Sequence, residues 1–155
     1  MSPVARMYVM GAILGVLGSS ALITSVFAAN DVKDVTGATT EGTQMYAGPN
    51  AEYPQVMHLA AGLQVAIHGC VAGQAWCDVS WRGKRGWVTA AALEYSEKGE
   101  SVALTEVAPS VIPTATFELG RYWDANYKTR LWYSDRAKWQ GLEGHGVQAA
   151  DAGAP

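Results

Sequence analysis

Short apolar stretches separated by turn residues fill the chain from residue 35 to residue 95, and they constrain the fold more than any other feature. Leu63, Val65 and Ile67 alternate with smaller or more polar residues, and this period of two marks a half-buried strand. Turn residues separate the stretches at Gly48-Pro49, Gly62, Gly73 and Gly83. Strands of this length and spacing predict a small all-β barrel or sandwich over residues 35–95.

The N-terminus has the pattern of a secretory signal peptide. Arg6 precedes residues 7–29, which carry no charged side chain and end in small residues. Val26 and Ala28 occupy positions −3 and −1 of a cleavage site, which predicts a signal peptide over residues 1–28, cut after Ala28, and a periplasmic or secreted protein. An uncleaved membrane anchor is the alternative, because the run approaches the roughly 20 apolar residues of a spanning helix.

The charge of the exported chain argues against nucleic-acid binding. Removing residues 1–28 removes only Arg6, so ten Lys and Arg oppose fourteen Asp and Glu, a formal charge of 10 − 14 = −4. A general nucleic-acid binder would show a basic excess or a long basic stripe. We therefore expect no nucleic-acid partner, and membrane contact only if the N-terminal segment is left uncleaved.

Cys70 and Cys77 flank a turn and are the two cysteines of the chain. In an oxidising compartment such a pair most simply forms a disulfide. A tight hairpin places the two residues opposite each other. The same register turns Ile67 away from Val79, so we predict a β-bulge or a wider loop near residues 70–72. Zinc and redox interpretations are weaker, because the histidines show no ligand spacing and no Cys-x-x-Cys motif is present.

Two segments of different composition follow. Residues 96–116 contain two prolines and no aromatic residue, which suits a linker or an extended strap. Residues 117–141 contain seven aromatic residues. Read as a helix, they align Trp123, Tyr127 and Leu131 on a face that would dock on the barrel. Read as an exposed segment, they would bind a partner, a glycan or a membrane surface. Residues 142–155 are predicted to be disordered.

Residues 43–95 resemble a bacterial SH3 domain of the SH3b type. The shared features, in order, are Tyr46-Ala47-Gly48-Pro49, Tyr53-Pro54-Gln55-Val56, Gly62, Trp76, Val79, Gly86-Trp87-Val88 and Leu93. With the cysteine pair and the tail residues Tyr122, Trp123, Tyr127, Arg130, Trp132, Tyr133, Arg136 and Trp139, the chain further resembles a group of exported SH3-domain proteins of Gram-negative bacteria. One departure is Gln44-Met45-Tyr46, where SH3b sequences commonly have Asn-Val-Arg, so no ligand contact of that arginine is transferable.

The resemblance implies an SH3-like barrel of five to seven strands that acts as a binding module. Its site would be an aromatic groove, and the candidate residues are Tyr46, Tyr53, Trp81 and Trp87, with Trp87 at least partly in the core. Ordinary packing is the alternative for each of them, since aromatic residues are mostly recruited for buried area. The basic loop at residues 82–85 is interpreted as a solvated turn, with an anion-binding patch as the alternative.

The chain shows no catalytic pattern. Nucleophile and base arrangements, paired carboxylates and phosphate-binding glycine loops are all missing from the sequence. We therefore expect no enzymatic activity, no cofactor and no metal. The hypothesis is an exported, non-enzymatic SH3b module that recognises peptidoglycan or an extended cell-envelope peptide. The alternative is an envelope accessory protein that binds another protein through its groove or its C-terminal tail.

Overall fold

The computed structural model describes residues 35–143. The predicted signal peptide lies outside these residues, as does nearly all of the segment predicted to be disordered. The strands are β1 (Val35–Thr39), β2 (Thr43–Tyr46), β3 (Gln55–Leu59), β4 (Gln64–Cys70), β5 (Trp76–Trp81), β6 (Lys84–Thr89), β7 (Leu93–Glu97) and β8 (Glu100–Ala103). The α-helix is α1 (Leu119–Asn126), and the 3-10 helices are η1 (Ala90–Ala92), η2 (Leu104–Glu106) and η3 (Leu131–Leu142).

The strands form one antiparallel sheet in the order β3-β2-β6-β5-β4-β1-β7-β8. Side chains from β2 to β7 meet in a single hydrophobic core that contains Met45, Leu59, Val65, Ile67, Val79, Val88 and Leu93. Because β3 at one edge and β7 near the other contribute to the same core, the sheet is strongly curled. Val65 and Ile67 are buried and Gln64 is exposed, which confirms the predicted alternation in β4.

The β4–β5 hairpin carries the disulfide. Cys70 and Cys77 are partners across the two strands, and their sulfur atoms are 2.03 Å apart. The register shifts between Ile67 and Gly69, so that Ile67 stands opposite Val79. A β-bulge is therefore present as predicted, although it lies just before Cys70 and not at residues 70–72. It preserves both the bridge and the apolar pair.

The position of the bulge follows from the segment that packs against it. The Cys70 amide donates to the Pro113 carbonyl at 2.9 Å, and the Ala115 amide donates to the Cys70 carbonyl at 2.8 Å. A Cβ atom at Gly69 would lie 2.7 Å from the Pro113 carbonyl oxygen. The bulge therefore places a glycine where the strap must approach the strand closely.

Residues 96–116 are more ordered than a linker. β8 pairs with β7 across a turn at Lys98 and Gly99, and Leu104 and Ile112 are buried in the core. With the two hydrogen bonds at Cys70, this segment is a strap that closes over the end of the β4–β5 hairpin.

The mostly β architecture with a short helical C-terminal region confirms the predicted fold class. The sheet has eight strands within residues 35–143. The count exceeds the expected five to seven because β8 comes from the segment interpreted as a linker or strap. Within the same residues, no helix combines the length and apolarity needed to cross a membrane.

Candidate functional site

The β5–β6 hairpin has two buried faces of different character. Val79 points into the core, whereas Asp78 points to the outer face together with Trp87, its partner across the strands. Arg85 is two residues from Trp87 and shares that face. Asp78 is only 3% exposed and Trp87 is 0% exposed. Another part of the chain must therefore cover the outer face.

The cover is α1 and the residues next to it. Helix α1 begins after Glu118, whose side chain accepts a hydrogen bond from the Arg121 amide at 3.2 Å. Leu119, Trp123 and Tyr127 follow at intervals of four, and all three are buried. The C-terminal segment is thus docked on the sheet, in agreement with the helical interpretation of its sequence.

The predicted helical face itself was wrong by one turn. Leu131 is 98% exposed, and Leu119 takes the place expected for it on the face that contains Trp123 and Tyr127. The reason is that α1 ends at Asn126 and the chain continues as the 3-10 helix η3, which has no fully buried residue. A 3-10 helix has three residues per turn, so a spacing of four does not define one of its faces.

Side chains of the tail are fixed to backbone carbonyls of the sheet and its loops. Trp123 Nε1 donates to the Ala47 carbonyl at 2.8 Å, and the Tyr127 hydroxyl donates to the Arg85 carbonyl at 2.6 Å. Farther along, Trp139 Nε1 donates to the carbonyl of Glu52 at 2.9 Å. These directional bonds hold the segment in one position, beyond what apolar burial alone would specify.

Asp78 and Arg85 form an ion pair beneath α1. Arg85 Nε and Nη2 donate to Asp78 Oδ2 at 3.0 and 2.7 Å, and the Tyr122 hydroxyl donates to Oδ1 at 2.6 Å. The hydrogen bond to Asp78 raises the pKa of Arg85. The Asp78 side chain is 5% exposed and that of Arg85 is 40% exposed, so part of the guanidinium faces solvent.

Three tyrosines on this side of the sheet have raised pKa values. Burial raises the pKa of Tyr122 and Tyr127, and the negative charge of Asp78 adds to the effect. Burial also raises the pKa of Tyr53, with a smaller contribution from Glu143. These hydroxyls stay protonated at neutral pH, and those of Tyr122 and Tyr127 serve as hydrogen-bond donors.

Aromatic rings connect the sheet and the tail in one layer. The Phe117 ring centroid lies 5.3 Å from that of Tyr53 and 5.7 Å from that of Trp87, both edge-on. The Tyr122 ring is 5.8 Å from Trp87. We call this set the aromatic layer: Tyr53, Trp87, Phe117, Tyr122, Trp123, Tyr127 and Trp132. Edge-to-face pairs of this kind add to the stabilisation that burial provides.

The four groove candidates do not form one surface. Tyr53 and Trp87 are buried in the aromatic layer. Tyr46 pairs with Trp87 across the strands and is partly exposed, with its ring edge-on to Trp76 at 5.7 Å. Trp81 is also partly exposed, but strand alternation places it on the opposite face from Trp87. Tyr46 and Trp81 are therefore the candidates that a ligand can reach with the tail docked.

The residues of the basic loop, 82–85, have different environments. Arg82 and Gly83 form its two-residue turn, with φ values of 47° and 74°, and Lys84 is exposed. Arg85 instead pairs with the buried Asp78, an ion pair that the sequence analysis missed. The available signal was Asp78, an acid inside an apolar strand, because a buried carboxylate requires a partner.

The metal-ligating residue types of residues 35–143 are dispersed. Both cysteines are in the disulfide. Across residues 35–143, His, Cys, Asp and Glu side chains form no cluster of three or more that could hold a metal ion.

Comparison with known protein families identifies the family of one part of the chain. Residues 41–94 match the family model for the bacterial SH3 domain. This part of the chain is a bacterial SH3 domain. The match confirms the resemblance found in the sequence. No curated protein and no solved structure matches the chain.

The SH3 domain contains β2 to β6 and the start of β7, whereas the strap, α1 and η3 lie outside the matched residues. The family consists of binding modules that often recognise peptidoglycan or proteins. The disulfide lies inside the SH3 domain and is typical of proteins in oxidising compartments. The cover of the outer face is thus an addition of this chain to its SH3 domain.

Proposed function

We propose that the chain is an exported, non-enzymatic binding module that recognises peptidoglycan or an extended cell-envelope peptide. The observation that carries the proposal is a partly exposed aromatic and cationic pair at the β5–β6 turn of an SH3 domain. The Arg82 guanidinium carbon lies 4.5 Å from the centroid of the Trp81 ring. Such a pair offers an apolar stacking surface and hydrogen-bond donors side by side, which suits a polar backbone or a glycan.

The other groove candidates take different parts in this proposal. Tyr46 offers a second accessible ring, supported from the side by Trp76. Tyr53 and Trp87 act indirectly, because both are buried in the aromatic layer and Trp87 is the cross-strand partner of Tyr46. Export is supported by the predicted signal peptide and by the disulfide.

Retention on purified sacculi tests the proposal. We expect the mature chain, from residue 29, to be retained, and Trp81→Ala to reduce retention about tenfold, the loss of roughly 1.4 kcal/mol of binding. Leu131→Ala is the control, since it removes an apolar side chain of the tail that is 98% exposed. The proposal fails if the mature chain is not retained, or if both variants bind equally well. Wall turnover by the purified chain would contradict the non-enzymatic assignment.

A second candidate function is supported by the tail. Leu131 is 98% exposed at the start of η3, next to the partly exposed Trp132 and Tyr133. Exposed apolar side chains grouped with aromatic rings mark protein-binding surfaces. This favours an accessory protein that binds another envelope protein through its tail. Capture of a defined partner from envelope extracts that is lost with Leu131→Asp and kept with Trp81→Ala would support it over wall binding.

A further inference from the structure

A small basic cleft lies where the β5–β6 turn meets the chain that follows α1. It has a volume of about 90 Å³ and mostly polar walls, and we call it the basic cleft. Gly83, Lys84 and Arg85 line it from the hairpin, and Thr129 and Arg130 line it from the tail. A cavity of this size has room for several water molecules, and thus for one oxyanion group in their place.

The charges of the basic cleft are not balanced by neighbouring carboxylates. Asp78 is paired with Arg85, and neither Lys84 nor Arg130 has an ion-pair partner in the part of the chain that the structure describes. Three other basic residues of the tail are paired: Arg121 with Glu118, Arg136 with Asp124, and Lys138 with Asp135. The cleft therefore has a net positive charge of two in a chain whose formal charge is −3.

Arg85 is held in place before any ligand binds. Asp78 fixes one edge of the Arg85 guanidinium, and the Tyr127 hydroxyl holds the Arg85 carbonyl. With 40% of its side chain exposed, Arg85 keeps donors that Asp78 does not use. Arg130 makes one long contact, 3.4 Å from Nη2 to the Val56 carbonyl, and its other four N–H donors remain for a ligand. Fixed arginine donors are the usual means of binding carboxylates and phosphates.

We propose that the basic cleft binds the terminal carboxylate of a peptide. This inference rests on the proposed function and names the chemistry by which an envelope peptide would be held. Lys84 is the cross-strand partner of Trp81. A peptide anchored by its carboxylate beside Lys84 would therefore pass next to the Trp81 ring. A cleft for one oxyanion, in a net acidic chain, does not suit a polyanion such as nucleic acid.

An NMR titration of the mature chain tests the carboxylate site directly. The probes are N-acetyl-dialanine with a free C-terminal carboxylate, the same peptide as its C-terminal amide, and inorganic phosphate at equal ionic strength. We expect saturable shifts of the backbone amides of Gly83, Lys84, Arg85, Thr129 and Arg130 with the free carboxylate, at millimolar affinity, and no saturation with the amide.

Charge-neutral variants locate the effect. Arg130→Gln and Lys84→Gln should each weaken carboxylate binding about tenfold, since each removes a charged hydrogen-bond donor from the cleft. Lys138→Gln is the control, because Lys138 is paired with Asp135 and does not line the cleft. Unchanged dispersion of the remaining resonances verifies that the variants fold.

Three results would overturn the inference: no saturable shift with the carboxylate, equal binding by the amide, or tighter binding of phosphate than of carboxylate. Equal affinity of the Arg130→Gln variant and the control would also overturn it. Failure of the proposed function gives a different result. Sacculus retention would then be absent while the carboxylate still titrates the cleft, whereas failure of the cleft alone leaves retention intact and sensitive to Trp81→Ala.

Discussion

The two faces of the β5–β6 hairpin are both buried, but they are built differently. The inner face packs Val79 and Val88 against other aliphatic side chains of the SH3 domain. The outer face buries Trp87 and the charged Asp78 under aromatic residues that arrive from the tail. Val79 and Val88 both belong to the SH3 domain, whereas the outer face is completed by residues of the tail, which lies outside the matched residues.

The difference lies in what specifies each face. Aliphatic packing is non-directional and tolerates changes of shape. The outer face instead uses directional bonds, from Tyr122 to Asp78, from Tyr127 to the Arg85 carbonyl and from Trp123 to the Ala47 carbonyl. A segment that lies outside the matched domain is thereby held at one position, and the basic cleft depends on that position.

Removal of the tail should have the largest effect on this comparison. A chain that ends at Thr116 exposes Trp87 and loses the buried side chains of Leu119, Trp123 and Tyr127. Each fully buried side chain contributes about 1.5–3 kcal/mol, so the loss approaches the whole stability of a small domain. We expect poor amide dispersion and no cooperative urea unfolding. The control ends at Glu143. Cooperative unfolding of the shorter chain within about 1 kcal/mol of the control would show that the outer face is dispensable.

Loss of the buried charge should affect the outer face next most strongly. Asp78→Asn keeps the shape but weakens the bonds to Arg85 and Tyr122, and hydrogen bonds to charged groups contribute about 1.5–3 kcal/mol. We expect the free energy of unfolding to fall by about 2 kcal/mol, measured by urea denaturation. Ile67→Val is the inner-face reference, with an expected loss of about 1 kcal/mol. A smaller loss for Asp78→Asn than for Ile67→Val would reverse the comparison.

High pH should lower the free energy of unfolding through the buried tyrosines of the aromatic layer. Burial raises the pKa of Tyr53, Tyr122 and Tyr127 above the ordinary value of 10.0. Above about pH 10 the unfolded chain releases these protons while the folded chain keeps them, so stability present below pH 10 is lost as pH rises. Each tyrosine adds a slope of about 1.4 kcal/mol per pH unit.

Urea unfolding between pH 9 and 11.5 measures this slope. Tyr127→Phe should reduce it by about 1.4 kcal/mol per pH unit, relative to the parent chain. Ile67→Val, which changes only the inner face, should shift the whole curve without changing its slope. An unchanged slope in Tyr127→Phe would show that this hydroxyl ionises as readily in the folded chain as in the unfolded one.

The smallest effect is expected at a buried hydroxyl that makes no bond. Tyr53 Oη is buried without a hydrogen-bond partner among residues 35–143. Removing an unpaired buried polar group is nearly neutral or stabilising. Tyr53→Phe should therefore change the free energy of unfolding at pH 7 by at most about 0.5 kcal/mol. Tyr122→Phe, which removes the bond to Asp78, should cost about 1.5 kcal/mol. A loss above 1 kcal/mol in Tyr53→Phe would indicate a partner for its hydroxyl.

Features that depend on neighbouring residues could be predicted well. Strand alternation identified β4, and the spacing of Cys70 and Cys77 with the demand of Ile67 for Val79 predicted both the disulfide and a bulge. The exact place of the bulge could not be predicted, because it depends on Pro113, which approaches from a distant part of the sequence.

Strand alternation also placed Asp78 and Val79 on opposite faces of β5. With only one core, Asp78 would face water. It is buried because helix α1 packs over it. Tyr122 of that helix, 44 residues later in the sequence, donates a hydrogen bond to Asp78. Period and spacing predict which face of the strand a residue occupies, but they do not predict which segment packs on that face.

Local alternation, turn glycines and cysteine spacing act within short stretches of chain, and they were enough to predict a small disulfide-bonded β-domain, to which the resemblance added the SH3 family. The burial of Tyr53 and Trp87 under the tail, the pairing of Arg85 with Asp78, and the cleft shared by Lys84 and Arg130 could be seen only in the folded chain. These outcomes depend on where a segment of about 25 residues docks. Docking is a sum of burial and directional bonds between distant residues, which no local pattern contains.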